Sequence, residues 1–201
     1  MENEVLENYK RYLERLNFYR SNGYDLEKER EFILDKSLPI SGEILEIGTG
    51  KGHFALALAK RGYNFTSIDI SLQEQEIAML NLRYFGLGKQ VAFKIEDAAR
   101  MSFLDQRFNA IFSINVFHHL ENPLAVLEEI NRLLRNGAKA VLSDFKDKGL
   151  EIINACHTAQ GRTHDYFKHR LNEAKEYFIR KGFNVMEYQS QVQKVLIAQR
   201  L

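Results

Sequence analysis

The chain has 201 residues, 45% of them hydrophobic, enough to bury one sizeable core in a single domain. Its 28 Lys and Arg balance 27 Asp and Glu, so no global charge recruits a nucleic acid or an anionic membrane surface. No apolar stretch reaches the length of a membrane span, the N-terminus is unlike a signal peptide, and the single Cys156 allows no internal disulfide, all of which points to the cytoplasm.

In chain order, Val5, Tyr9, Tyr12, Leu13 and Leu16 predict a first helix, and a second runs from Leu26 to Lys36 beyond an Asn22-Gly23 turn. Residues 1–38 thus read as a helical cap ahead of a main domain over 39–201. A short apolar strand beginning at Ile44 opens into Gly48-Thr49-Gly50-Lys51-Gly52, and Phe54, Ala55, Leu58 and Ala59 form a helical stripe ended at Gly62. The run Phe65 to Ile70 contains Asp69 and precedes a helix from Leu72 to Phe85, stopped by Gly86 and Gly88. Strands follow around Val91 to Ile95 and from Phe108. Asn122 and Pro123 then cap a helix carrying Leu124, Leu127, Ile130 and Leu134, which Asn136-Gly137 closes. Ala138 to Phe145 read as a buried strand, Lys146 to His164 as an insertion holding Cys156, His157, Arg162 and His164, and Phe167, Leu171, Ala174 and Phe178 as a helix stopped at Gly182. Phe183 to Tyr188 and Val192 to Ala198, three polar residues apart, predict a hairpin. Alternating strands and helices imply a parallel α/β sheet covered on both faces.

The glycine loop carries the chemistry. A dinucleotide fingerprint, G-x-G-x-x-G, would set a pyrophosphate on the helix N-terminus. Here the third glycine comes one residue early, His53 occupies the place of the last, and Glu46 stands at the strand's carboxyl end. A carboxylate there repels phosphates and attracts a cationic head group, while bare glycine backbone admits a nucleoside sugar. Glu46 and Asp69 lie 23 positions apart, near the roughly 20-residue spacing of a nucleotide-binding βαβ unit. Lys51 follows no phosphate-loop pattern and reads as solvated.

The E-x-G-x-G-x-G run resembles motif I of the class I S-adenosylmethionine-dependent methyltransferases, and the later segments resemble small-molecule, ubiquinone-type members. The resemblance covers roughly residues 40 to 200. It implies a Rossmann-like doubly wound sheet of seven strands, order 3-2-1-4-5-7-6, with the hairpin antiparallel. It implies S-adenosylmethionine as cofactor, S-adenosylhomocysteine as product and a small-molecule acceptor. The cofactor residues it implies are Glu46, Gly48, Thr49, Gly50, Gly52, Asp69 for the ribose hydroxyls, Ile70, Asp97 and Ala98 at the adenine, and Asn115. Glu96 competes with Asp97 for the adenine amino group. Asn109 replaces the family's usual Asp, far from the strand mouth. His119, with His118 beside it, is the implied general base near the methyl group, and no metal is expected because no ligand spacing accompanies the two histidines. In the resembling family the N-terminal segment lies across the cofactor mouth; packing on the sheet flank is the alternative. Two other readings stand beside enzymatic methyl transfer: a cofactor-binding regulatory protein without turnover, and a nicotinamide oxidoreductase, which would need glycine at His53.

Overall fold

In the computed structural model, which describes residues 2–159, 161 and 171–201, seven strands form one sheet. They are β1 (Ile44–Ile47), β2 (Phe65–Asp69), β3 (Val91–Ile95), β4 (Phe108–Ile114), β5 (Leu134–Phe145), β6 (Asn184–Gln189) and β7 (Gln193–Gln199). The order is β3-β2-β1-β4-β5-β7-β6, parallel except where β7 pairs with β5 and β6. The expected architecture holds. Side chains alternate between two cores, as period-two strands require. Ile44, Phe112, Val141 and Ile197 face one side, and Leu45, Ile111, Leu142 and Leu196 the other.

The first face is covered by α1 (Glu2–Ser21), α2 (Leu26–Ser37), α3 (His53–Lys60) and α6 (Asp147–Ala159), with α4 (Leu72–Tyr84) beside them; α5 (Pro123–Leu133) and α7 (Leu171–Arg180) cover the second. In α1 the buried stripe is Asn8, Tyr12, Leu16 and Tyr19, so Leu13 falls on the exposed side, contrary to expectation. The stripe packs on α4, where Tyr9 stacks on Tyr84 at 3.6 Å between centroids and Asn8 Nδ2 donates to Asn81 Oδ1 at 2.7 Å. No helix among the described residues is long and apolar enough to cross a membrane.

Three expectations need correction. The insertion after β5 is helical through Ala159, because Leu150, Ile153 and Cys156 recur at helical spacing and are buried. Leu124 is exposed, and α5 buries Val126, Leu127, Ile130 and Leu133 instead. Asn136-Gly137 does not cap α5, which has already ended at Leu133. It lies inside β5, where the pairing slips from Phe108↔Leu134 to Ala110↔Lys139 and Gly137 takes φ +72°. At the start of β4, Asn109 Oδ1 accepts from Glu43 N at 3.0 Å, which ties the entries to β1 and β4 together. Phe167, Arg162, His164 and His169 lie outside the described residues.

Candidate active site

The loop from β1 to α3 leaves the sheet at the strands' carboxyl ends, where ligands of such sheets bind. Gly48 N and Thr49 N both donate to Ile68 O, at 2.8 and 3.0 Å, which folds the loop back over β2. A Cβ on Gly48 would stand 2.2 Å from Val116 Cγ2, so the turn after β4 closes against it. Gly50 differs: at φ +48° a Cβ would meet nothing within 4 Å, and its N donates to Asp69 Oδ2 at 2.7 Å. Asp69 Oδ1 accepts from Ser71 N at 2.9 Å, so two backbone amides orient this carboxylate. Gly52 faces elsewhere. A Cβ there would lie 2.7 Å from Ala78 Cβ, so this glycine allows α3 and α4 to approach and does not line the cavity.

That cavity holds about 670 Å³ and is lined by Glu46, Gly48, Thr49, Gly50, Asp69, Ile70, Asp97, Ala98 and Asn115, the remaining expected cofactor residues. The volume falls in the range of small-molecule sites. Ile70, 76% exposed, offers an apolar platform at its rim. Thr49 Oγ1 lies 2.6 Å from Ser67 Oγ and accepts from Gln75 Nε2 at 3.1 Å, which ties its hydroxyl into the loop. Asp97 Oδ1 accepts from Ala99 N at 2.8 Å, whereas the carboxylate of its competitor Glu96 bonds both N and Oγ of Ser102. Lys51 is not solvated as expected: its Nζ sits 2.8 Å from both oxygens of Glu74.

At the inner end a carboxyl and a guanidinium are buried with no ion pair between them among the described residues. Glu46 is 1% exposed, and burial pushes its carboxyl up to about 8 although Ser67 Oγ donates to it at 2.5 Å and the Arg30 cation opposes the rise. Arg30, from α2, is 7% exposed, and among the described residues no carboxylate comes within 4.0 Å of it. Its Nε has no hydrogen-bond partner. Nothing in the local sequence singled Arg30 out, because only the tertiary fold brings α2 to the glycine loop. His53 lines the same region and stacks on Tyr12 at 5.5 Å; burial, then Arg15, Arg30 and Lys51, hold its imidazole well below the ordinary value and hence neutral.

A second cavity of about 270 Å³ adjoins the first and shares Arg30, His53, Asn115 and His119 with it. Its wall is a succession of rings: Tyr19 to Tyr24 at 6.0 Å, Tyr24 to Phe145 at 5.6 Å, Phe145 to His118 at 5.6 Å and His118 to His119 at 4.0 Å. α1 contributes Arg15 and Tyr19, and α6 contributes His157, so the N-terminal helices both pack on the flank and border the mouth. Both expected histidines line this space, and a carboxylate stands beside His118. Asp144, buried at the end of β5, accepts from the His118 backbone N at 2.9 Å and lies 2.5 Å from His118 Nδ1. Asp144 ends an apolar strand as Asp69 does, a signal legible in sequence that went unread.

A family model described as a methyltransferase domain matches residues 9–187. The ubiquinone biosynthesis O-methyltransferase of Dechloromonas aromatica is 27% identical over 154 residues, 71% of this chain and 65% of that protein. Methyltransferase GfsG of Streptomyces halstedii is 29% identical over 108 residues, 53% of this chain and 39% of that protein. The chain therefore spans between about two fifths and just under two thirds of these relatives. A crystal structure of a SAM-dependent methyltransferase from Methanosarcina mazei superposes with TM-score 0.62 at 25% identity, covering 84% of this chain and 97% of that one. The Haemonchus contortus phosphoethanolamine N-methyltransferase 2 complex with S-adenosylhomocysteine shares the fold at TM-score 0.66 and 16% identity, over 86% of this chain and 53% of that one. With nearly its whole length matched, this chain belongs to the methyltransferase domain family.

Proposed function

We propose that this protein is a cytoplasmic enzyme transferring a methyl group from S-adenosylmethionine to the hydroxyl of a small aromatic acceptor. The single observation carrying the cofactor half is the pairing of Glu46 with Arg30 at one end of a nucleoside-sized cavity. A zwitterionic amino acid fits that pair, with its ammonium toward Glu46 and its carboxylate toward the unsatisfied Arg30 Nε. Asp69 would accept from the ribose hydroxyls, Gly50 would leave room for the sugar, and Asp97, Ala98 and Ile70 would hold the adenine. When bound, the cofactor supplies a methyl already activated on a sulfonium, so positioning and exclusion of water are the chain's main tasks.

The second cavity supports the acceptor half. Its ring wall suits a flat molecule of one or two rings. A hydroxyl must lose its proton as the methyl arrives. Position after β4 points to His119 as base, but the geometry favours its neighbour: Asp144 beside Nδ1 makes that nitrogen the donor and leaves the lone pair on His118 Nε2 to take the proton. This reading accords with the O-methyltransferase name of the relative from Dechloromonas aromatica.

Formation of S-adenosylhomocysteine with a panel of small hydroxyarenes and a metabolite extract tests the proposal. His118→Ala should lower turnover by about 10² to 10⁴ and abolish the ascending limb of the rate-versus-pH profile, with cofactor affinity within a few-fold. The same losses in His119→Ala but not in His118→Ala would return the base to His119. No product with any acceptor would leave a cofactor-binding regulatory protein.

A further inference from the structure

Arg30 is held by a closed ring of side chains, all buried except the half-buried Asn115, drawn from four separate parts of the chain. Its Nη1 donates to Tyr24 Oη at 3.2 Å, and Gln193 Nε2, from β7, donates to the same oxygen at 3.0 Å. Gln193 Oε1 accepts from Ser143 Oγ at 2.7 Å. The Asn115 amide closes the ring in the orientation that satisfies both neighbours, its nitrogen donating to Gln193 Oε1 at 2.9 Å and its oxygen accepting from Arg30 Nη2 at 3.0 Å. Tyr24 is 1% exposed and Gln193 0%. Asn115 takes φ +58°, a left-handed conformation that its N, donating to Ser143 O at 2.8 Å, helps to hold. Burying polar side chains such as Arg30, Tyr24 and Gln193 is costly unless each is satisfied, and of their polar atoms only Arg30 Nε lacks a partner among the described residues. Neutral partners occupy the guanidinium's outer nitrogens without cancelling its charge.

Building on the cofactor reading above, we propose that Tyr24 and Gln193 are positioning residues that act through Arg30: they fix a full positive charge at the methionyl end of the cavity and so make binding depend on the ligand's carboxylate. The ring also explains why the chain's last strand and its second helix meet there. Ser190 Oγ, in the turn before β7, donates to Glu29 Oε2 at 2.6 Å and adds a second tie between the same elements.

Titration calorimetry with S-adenosylhomocysteine and with 5′-methylthioadenosine, which lacks the amino-acid end, tests this. In Gln193→Leu, affinity for S-adenosylhomocysteine should fall about tenfold, as for loss of one well-placed charged contact, while that for 5′-methylthioadenosine stays within twofold. Tyr24→Phe, which removes a single oxygen, should act in the same direction and serves if Gln193→Leu impairs folding. In an Arg30→Leu background, adding Gln193→Leu should change neither affinity further. Equal losses for both ligands, no loss for either, or additive losses in the double variant would overturn the relay. Wild-type protein that binds neither ligand would overturn the cofactor reading, and the relay with it.

Discussion

The two ends of the large cavity are built by opposite means. At one end Asp69 stands beside residues close in sequence or one strand away, and two backbone amides, of Gly50 and Ser71, hold its carboxylate. At the other end Glu46 and Arg30 line the cavity from positions brought together by the whole fold, each buried and with no ion pair between them among the described residues. The first end is a local device fixed by backbone; the second is electrostatic and depends on distant packing. Backbone-fixed acceptors should tolerate changes of pH and fail when the loop is altered, whereas the buried charges should respond to protons and to substitutions far away.

The largest effect should come from the loop. Gly50→Val places a β-branched residue at φ +48° and its side chain in the cavity, and should reduce S-adenosylhomocysteine affinity by more than about a hundredfold in calorimetry. Retained tight binding would mean that ligand does not touch this loop. Asp69→Ala should weaken binding by at least about tenfold. Because Asp69 also accepts from Gly50 N and Ser71 N, the thermal midpoint of the free protein should drop as well. Asp69→Asn, which keeps one acceptor oxygen, should recover part of both.

The proton response separates the ends more finely. Glu46, with its carboxyl raised from 4.5 to about 8, keeps in the fold a proton that the unfolded chain has already released. The empty protein should therefore lose stability as pH rises from about 4.5 to about 8 and lose no more from this group above that. An ammonium beside the carboxyl requires the ionised form, so affinity for S-adenosylhomocysteine should rise with pH up to about 8, by at most about tenfold per unit, with proton release on binding. Calorimetry in buffers of different ionisation enthalpy measures that release, and Glu46→Gln should abolish it. The smallest effect is expected at Glu96. Its carboxylate serves Ser102, so Glu96→Gln should leave affinity within about twofold while Asp97→Asn lowers it more.

The contrast between the ends also explains what could be read from residues alone. The glycine loop, Asp69 and Asp97 are legible because strand, turn and acid are neighbours in sequence, and the sheet order follows from the resemblance those motifs carry. Arg30 was not legible, for α2 offers several charged residues and only packing selects one. The helix after β5 has its period in Leu150, Ile153 and Cys156, but polar and charged residues between them leave that stripe faint in sequence. Asn136-Gly137 satisfies a helix cap and a strand irregularity equally well, and β4 pairing decided between them. The pairing of His118 with a carboxylate was equally hidden, since Asp144 is 26 positions away in sequence.

The position of β7 has a consequence for the order of synthesis. This strand is made last of the seven, yet it lies inside the sheet between β5 and β6 and carries Gln193 to Tyr24. A nascent chain emerging from the ribosome can assemble the glycine loop and its carboxylates while β7 is still inside the exit tunnel. Until that strand emerges, β5 has a bare edge and Tyr24 and Asn115, which hold the guanidinium, lack the Gln193 amide that ties them together. On the cofactor reading proposed above, discrimination between a complete cofactor and its adenosine fragment is thus completed only with the last strand.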